Sequence, residues 1–572
     1  MPRLNGTLKF TKWIRGFRDP AQPDNYRQIN ILAIAIFAAI FYLNSFQNFF
    51  VWNDWTFIIE NFLIKDWRNL PEIFTSAFWK PLLGEPTLVY RPLTALSFMT
   101  DFSLWGLEPW GYHLTNTALH ILNSVIGYFL VRNYTSATTA FMGSILFAVH
   151  PIHTEAVTYI WGRADLLMSF FLLAGTLLYL KSVKRRSRLL YAASLPLFLF
   201  ALLSREIAFM FPLLLLTADY SLPWSRFRWI RHLGPLLVLV AYLIGRVFFV
   251  GGFSFDPGPA AGSFVASLLV VLKAIPIYVG LLLFPFNIQF IHPLAPFPIG
   301  GLVILSVLLL VGVGAGLGLA FRSGNQAAAF ALMWFLAGLI PLIHLAINGL
   351  PLLEAWLYLP SLGFLLLPAL GLAALRERIS PVLLTILIAV LLGAVTVNRN
   401  QDWEGEMSLA LDTAQASPDD PTAMGLLADA YFRWGRPDRA EELLRKALET
   451  APENLRLHRS MGVLSQFLGS DSEALAHYQR AIELNPDHPG PYGRLAAYYR
   501  NRGHLGQARK YLAKAAQTFP YSSEIYNELA YMHYMDGQLE AAKIALEAAQ
   551  KISPWSPAVQ NNLEKVRQAS KQ

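Results

Sequence analysis

The sequence predicts an all-α protein in two bodies: a polytopic bundle of about eleven membrane spans, then a water-soluble α-solenoid of 34-residue repeats. Three observations carry that reading. The chain is 54% hydrophobic and only 15% charged, with mean hydropathy +0.39, whereas soluble domains carry about a quarter charged residues. Apolar runs of spanning length alternate with short polar loops up to about residue 398 and then stop. After residue 402, one 34-residue period takes over.

Taken in order, residues 1–30 form a basic start with Arg3, Lys9, Lys12, Arg15, Arg18 and Arg27. The first apolar run, near 31–49, lacks a small-residue cleavage site and reads as a retained helix. Further spans are drawn at 112–131, 137–149, 166–182, 189–203, 207–220, 233–250, 299–320, 327–346, 356–375 and 381–398. Segment 264–286, with Lys273 and Pro276 in its middle, reads as broken or re-entrant rather than spanning. The positive-inside rule then places the N-terminus, "KSVKRRSR" (181–188) and "SRFRWIRH" (225–232) in the cytoplasm. "RERIS" (376–380) also falls inside, and the repeats outside.

That topology gathers one kind of residue on the outer face. Loop 50–111, "HPIHTEAVTYIWGRAD" (150–165), "SREIAF" (204–209), "FIHPLAPFP" (290–298) and "NGLPLLEAW" (348–356) hold most of the acids and histidines of the membrane half. In "FVWNDWTFIIEN" (50–61), Asn53 and Asp54 sit among aromatics just past the first span. An acid there can deprotonate a hydroxyl or hold a cation against a phosphate; the plain alternative is a solvated loop carboxylate. Arg91 on the same loop can clamp a phosphate bidentately. His113, Asn116, His120 and Asn123 form one polar stripe along a span, which suits interhelical hydrogen bonding as well as a ligand cavity.

His150 and His153, near Glu155, Arg163 and Asp165, have a spacing too common to assign zinc. Arg205 and Glu206 read equally as an internal ion pair or a phosphate contact. The glycines of "GVGAGLGLA" (312–320) sit mid-span and read as close helix packing. With no Cys, the chain has no disulfide, thiolate metal site or thiol nucleophile.

The repeats are legible in four columns. Pro418, Pro452, Pro486, Pro520 and Pro554 recur every 34 residues, as do Gly435, Gly469, Gly503 and Gly537. Two alanine series, from Ala440 to Ala542 and from Ala447 to Ala549, keep the same step. Alanine lets paired helices approach, glycine ends helix A and proline stops helix B. The units run at about 419–452, 453–486, 487–520 and 521–554, with a capping helix at 556–570. Such an array presents a concave face for a protein or peptide, with a plain stabilising scaffold as the alternative. Its charges nearly balance, so no nucleic-acid footprint is present.

Together, "FVWNDWTFIIEN", "YRPLTALSF", "GYHLTNTALH", "HPIHTEAVTYIWGRAD", "SREIAFMFP" and "EAWLYLPSLGF", in this order before tetratricopeptide-type repeats, resemble the transmembrane and tetratricopeptide repeat-containing proteins. The resemblance covers nearly the whole chain. It implies a membrane glycosyltransferase of the GT-C fold, similar to protein O-mannosyltransferases. Such an enzyme takes a sugar from a polyprenyl-phosphate carrier outside the cytoplasm and passes it to a protein hydroxyl, with an acid on the first outer loop as catalyst.

Asp54 then carries catalysis, and Arg91, Arg163 and Arg205 face the donor phosphate. Asn53, His113, His120, His150, His153, Glu155, Asp165, Glu206 and Glu354 support the site or bind sugar hydroxyls. The donor is a polyprenyl-phosphate sugar, a divalent cation is an open requirement, and the repeats hold the acceptor. Two departures stand out: the family's paired acids are Asn53-Asp54 here, and its Glu-Arg before "YLPS" is Glu354-Ala355. The style of the chain suits a bacterial inner membrane and an undecaprenyl carrier. The rival readings are the same chemistry on a lipid or surface glycan, and a non-enzymatic scaffold whose repeats assemble a secretion or pilus complex.

Overall fold

A computed structural model describes residues 27–59, 61–74, 90–222, 228–250, 264–286, 288–290, 299–343, 352–375, 380–486, 489–518, 523–552 and 556–570. The basic start up to residue 26, positions 225–227, most of "FIHPLAPFP", residues 348–351 and the arginines of "RERIS" lie outside the described residues. Among the described residues every regular element is helical.

The membrane half begins with α1 (Arg27–Ile40), α2 (Pro92–Trp105), α3 (Pro109–Val131) and α4 (Ala137–Val149). It continues through α5 (Arg163–Arg185), α6 (Arg188–Ser204), α7 (Phe211–Tyr220), α8 (Leu233–Val250) and α9 (Phe264–Leu283). It closes with α10 (Ile299–Arg322), α11 (Gln326–Gly338), α12 (Ser361–Ala374) and α13 (Pro381–Asn400). Five helical segments, Pro109–Val131, Ile160–Arg185, Trp229–Phe248, Gly300–Arg322 and Pro381–Trp403, are long and apolar enough to cross a membrane. Six shorter apolar helices accompany them.

Two expectations are corrected here. Segment 264–286 is not broken: α9 runs unbroken from Phe264 to Leu283 with Pro276 inside it. Where no water can satisfy a freed carbonyl, keeping the helix and losing one proline-blocked bond costs less than unwinding a turn. Pro196 and Pro368 lie inside α6 and α12 in the same way. The stretch 50–111, read as a loop, contains the fourteen-residue helix α2, started by Pro92 in its first turn.

Contacts fix which ends lie together. Asn48 donates to the Asn400 carbonyl at 2.9 Å, and the Phe49 N–H donates to the Glu404 carbonyl at 3.0 Å. Thr158 donates to the Asn400 side chain at 2.7 Å, and His150 meets the Leu282 carbonyl at 3.1 Å. At the opposite end, Tyr134 donates to the Ala218 carbonyl at 2.7 Å, and His232 lies 3.3 Å from Asp219. α8 therefore starts at the Asp219 end and α9 finishes at the Asp54 end, so two helices make one net passage. The Asp54 loop and the start of the repeats share an end.

The soluble half opens with α14 (Glu406–Ala416), packed on α15 (Pro421–Arg433). Helix pairs follow: α15 with α16 (Pro437–Thr450), α17 (Leu455–Phe467) with α18 (Asp471–Leu484), α19 (Pro489–Asn501) with α20 (Leu505–Thr518), and α21 (Ser523–Met535) with α22 (Leu539–Ile552). α23 (Pro557–Ala569) covers the last pair. The periodic residues do what their chemistry dictates. Ala440, Ala447, Ala474, Ala481, Ala508, Ala515, Ala542 and Ala549 are fully buried where helices touch.

Gly435, Gly469, Gly503 and Gly537 all have positive φ, from 74° to 78°. The residue after each donates back to the last turn of helix A, as Ser470 N–H does to the Ser465 carbonyl at 2.8 Å. A Cβ at Gly469 would meet no neighbour, so its whole cost is conformational. Gly469→Ala is therefore expected to destabilise the array by about 1–2 kcal/mol, read by thermal melting of the purified chain.

Candidate functional site

The backbone turns sharply before Asp54: Trp52 holds φ at 48°, a conformation bulky residues rarely adopt. That turn lets Asp54 reach back. Its Oδ2 accepts the Val51 N–H at 3.0 Å and its Oδ1 accepts the Trp161 N–H at 2.9 Å. The carboxyl is fully buried, and burial pushes it up to about 8 against those two bonds and the charge of Arg163. An acid tuned near neutrality is suited to accept a proton and release it again. Asn53 lies beside Tyr159.

Trp161 links Asp54 to the cations. Its N–H holds the carboxylate, while its ring stacks on Phe57 at 3.8 Å and lies 5.6 Å from the Arg91 guanidinium. Arg91 Nε pairs with Glu206 at 3.0 Å, and the Tyr90 N–H donates to the same carboxylate at 2.8 Å. Burial works to raise Glu206, but the charges of Arg91 and Arg246 more than offset it and hold the group below its ordinary value. The next residue, Arg205, pairs with Asp165 and lies 5.7 Å from the Trp356 ring. Burial, then the like charge of Arg91, lowers Arg205 to about 9. The two guanidiniums are thus close enough for the charge of one to act on the other, and each is held by a carboxylate.

Two further acids complete this end. Glu155 accepts the Ala355 N–H at 2.8 Å, and Glu354 accepts the Gln289 N–H at 2.7 Å. Burial and the neighbouring Glu354 push Glu155 up to about 8. Where the resemblance leads one to expect a cation, Ala355 contributes a backbone donor instead.

Arg163 does not sit where the sequence reading put it. It is fully buried and pairs with Asp101 at 2.7 Å. It also donates to the Tyr112 carbonyl at 2.8 Å and to the Asn116 side chain, with its guanidinium 4.9 Å from the Phe98 ring. A guanidinium so enclosed is an anchor for the segment it starts, with no face left for a phosphate. Asp101, the acid inside "TALSFMTDFSLW", was missed because nothing in its own stretch shows its partner.

The polar stripe also resolves into structure. His113 contacts the Asn48 carbonyl at 3.2 Å, and Asn116 donates to the Val157 and Tyr159 carbonyls at 3.1 and 3.2 Å. His120 bridges Tyr358 OH and the Ala148 carbonyl at 2.8 and 2.9 Å. Asn123 donates to the Leu166 carbonyl at 3.0 Å. His113 thus meets a carbonyl of the turn before Asp54, and Asn116, His120 and Asn123 satisfy carbonyls in and beside the irregular segment between α4 and α5, which would otherwise be orphaned at membrane depth. The Ile152 N–H donates to His150 Nδ1 at 3.2 Å, so its Nε2–H is the donor to Leu282. Burial lowers His150 to about 4, which leaves it neutral. His153 meets Ser361 Oγ at 2.8 Å. Among the described residues no three His, Cys, Asp or Glu side chains are grouped to hold a metal ion.

Arg399, also missed, ties the two halves together: its Nη1 pairs with Asp402 at 2.7 Å and Asp412 of α14 at 2.9 Å. An arginine ending an apolar helix reads in sequence only as an ordinary basic flank.

Comparison with known proteins agrees with this architecture. Tetratricopeptide-repeat family models match residues 410–464, 477–510 and 494–557. Protein O-mannosyl-transferase TMTC3 of Homo sapiens is 27% identical over 510 residues, covering 81% of this chain and 55% of its own length. Protein O-mannosyl-transferase F38B6.6 of Caenorhabditis elegans is 26% identical, covering 83% of this chain and 65% of its own. Protein O-mannosyl-transferase TMTC2 of Mus musculus reaches 38% identity over 152 residues, 25% of this chain and 18% of its own. The chain spans little more than half the length of the first of these relatives. The resemblance to the transmembrane and tetratricopeptide repeat-containing proteins therefore extends along most of the chain, and its soluble half consists of tetratricopeptide repeats.

Proposed function

We propose that this chain is a glycosyltransferase that moves mannose from a polyprenyl-phosphate carrier to a hydroxyl of an acceptor protein. The observation that carries the reading is the Trp161 junction, with the buried Asp54 carboxyl on its N–H and the Arg91 guanidinium over its ring. The names of the relatives supply the sugar and the acceptor class. Asp54 takes the proton of the acceptor hydroxyl while that oxygen attacks the anomeric carbon. The bond from that carbon to the phosphate oxygen breaks, its electron pair leaves with the carrier phosphate, and the anomeric centre inverts. Negative charge grows on that phosphate, and Arg91 and Arg205 stand where two guanidiniums can share it. Glu206 and Asp165 orient those cations until the donor arrives.

Residues 31–400 form the catalytic body in this reading and 401–572 the acceptor-holding repeats. The N-terminus is cytoplasmic. Because the repeats share an end with Asp54, both are extracytoplasmic, in a bacterial inner membrane with an undecaprenyl carrier. Glu155 and Glu354 face sugar hydroxyls. A rival scaffold role would not call for carboxyls buried beside guanidiniums, since each is costly to desolvate.

The direct test is the full chain in lipid nanodiscs with mannosyl-phosphoryl-polyprenol and a protein acceptor, the product being read by mass spectrometry. Transfer from the lipid donor is expected. Turnover only with a nucleotide sugar, or only onto a lipid acceptor, overturns the proposal. In the same assay Arg91→Met is expected to raise the donor KM at least tenfold, the loss of one charge-assisted contact of about 1.5–3 kcal/mol. Chelation separates the two roles of Asp54: activity that survives EDTA means direct proton transfer, and activity that needs added Mg²⁺ or Mn²⁺ means orientation through a cation.

A further inference from the structure

A cleft of about 60 Å³ opens between the Asp54 turn and the first repeats. Trp52 forms one wall, and Glu406, Leu426, Asp429, Arg433 and Arg456 form the other. It does not lie over a flexible linker. Val51, Tyr159, Phe290, Trp403, Leu409, Ala410, Leu426 and Ala430 make one buried apolar cluster, so the first repeat helices are packed onto the site's own loops.

The cleft's polar wall is built of two ion pairs. Arg433 pairs with Glu406, and Arg456 with Asp429 at 3.5 Å. Arg433 also lies 5.4 Å from the Trp55 ring, and Arg456 Nε is buried with no hydrogen-bond partner among the described residues. Carboxylates accept and guanidiniums donate, so the wall offers acceptors and donors with no net charge. That pattern complements an extended polypeptide, whose backbone alternates N–H and C=O, better than it does a phosphate or an acidic tail. The volume suits one small side chain and is well under that of a cavity of about 150 Å³ that accepts benzene.

We propose that this cleft seats an unfolded segment of the acceptor polypeptide and sets which hydroxyl reaches Asp54. This rests on the transferase reading for its chemistry and on the cleft alone for its binding. Trp52 is at once the cleft wall and the left-handed residue of the turn that aims Asp54, so occupancy and aim are mechanically joined.

The absence of cysteine makes the test clean. Arg456→Cys places a single thiol in the cleft, and Glu449→Cys places one on the exposed face of α16. The probe is a pool of twelve-residue peptides with a fixed central Thr, randomised elsewhere and bromoacetylated at the N-terminus. Labelling of the thiol in the cleft is expected to exceed that of the thiol on α16 at least fivefold, to be competed by the unreactive pool, and to persist in the Asp54→Asn background. Equal labelling of the two thiols overturns the proposal. As a second readout, Trp52→Gly keeps the positive φ accessible but removes the ring. It is expected to raise the acceptor KM at least tenfold, and an unchanged acceptor KM counts against the cleft. Selective labelling without any transfer would sink the transferase reading and leave the cleft standing. Transfer without selectivity would do the reverse.

Discussion

Asp54→Asn is expected to lower sugar transfer by about a hundred- to ten-thousandfold while the chain stays folded. A positioned general base is worth about 10²–10⁴ in rate, and among the described residues no second acid accepts the Trp161 N–H beside the Arg91 guanidinium. Asparagine keeps the shape but accepts through one atom only, so either the Val51 or the Trp161 N–H loses its partner. That lost bond costs about 1–3 kcal/mol, and a melting curve must accompany the rate to separate the two effects. Asp54→Glu retains the base and misplaces it, and should fall between the two.

The wild-type pH profile gives an independent check. Burial raises Asp54 to about 8, so the basic form is the minor one at neutral pH and kcat/KM should climb as pH rises through 8. The same shift has a stability consequence of fixed sign. Between the ordinary carboxylate range and pH 8 the folded chain keeps protons on Asp54 and Glu155 that the unfolded chain has shed, so stability declines as pH rises through that window. Activity and stability should therefore move in opposite directions with pH. A flat rate between pH 6 and 9 removes Asp54 as the base.

What could be read from the residues depended on how local the physics is. Gly435 and its three equivalents were legible because a left-handed helix end admits almost only glycine, and the buried alanines because two helices can approach no closer. Asp54 stood out because an acid among aromatics at a span's end is expensive unless used. Arg163 and Arg91 could not be told apart, since each is an arginine in an aromatic stretch and only the packing shows that one is enclosed and one is reachable. Trp52's φ of 48° has no sequence signal at all, because a bulky residue is a poor choice there and is held by Tyr159 and Phe290 around it. Pro276 argues locally for a break in α9, but in an apolar segment unwinding a turn would free several backbone groups where keeping the helix frees one.

The second large effect is expected at the buried pair of Arg163 and Asp101, and it separates anchoring from donor binding. Asp101→Ala leaves a fully buried guanidinium without its counter-charge, which should cost about 3–5 kcal/mol and lower the melting temperature by many degrees. Arg163→Met leaves Asp101 equally stranded and should cost about as much. The double variant Arg163→Met with Asp101→Leu removes both charges and should recover a large part of that loss. Recovery will be incomplete, because the Tyr112 carbonyl and the Asn116 side chain still lose their donor. The kinetic signature follows from position. Arg163 opens α5 two residues after Trp161, whose N–H aims Asp54, so loosening it should reduce kcat by blurring that aim. The donor KM should stay within about threefold, unlike the tenfold rise expected for Arg91→Met. A donor KM that rises in the Arg163 double variant as much as in Arg91→Met would restore Arg163 to the phosphate site and overturn its assignment as an anchor.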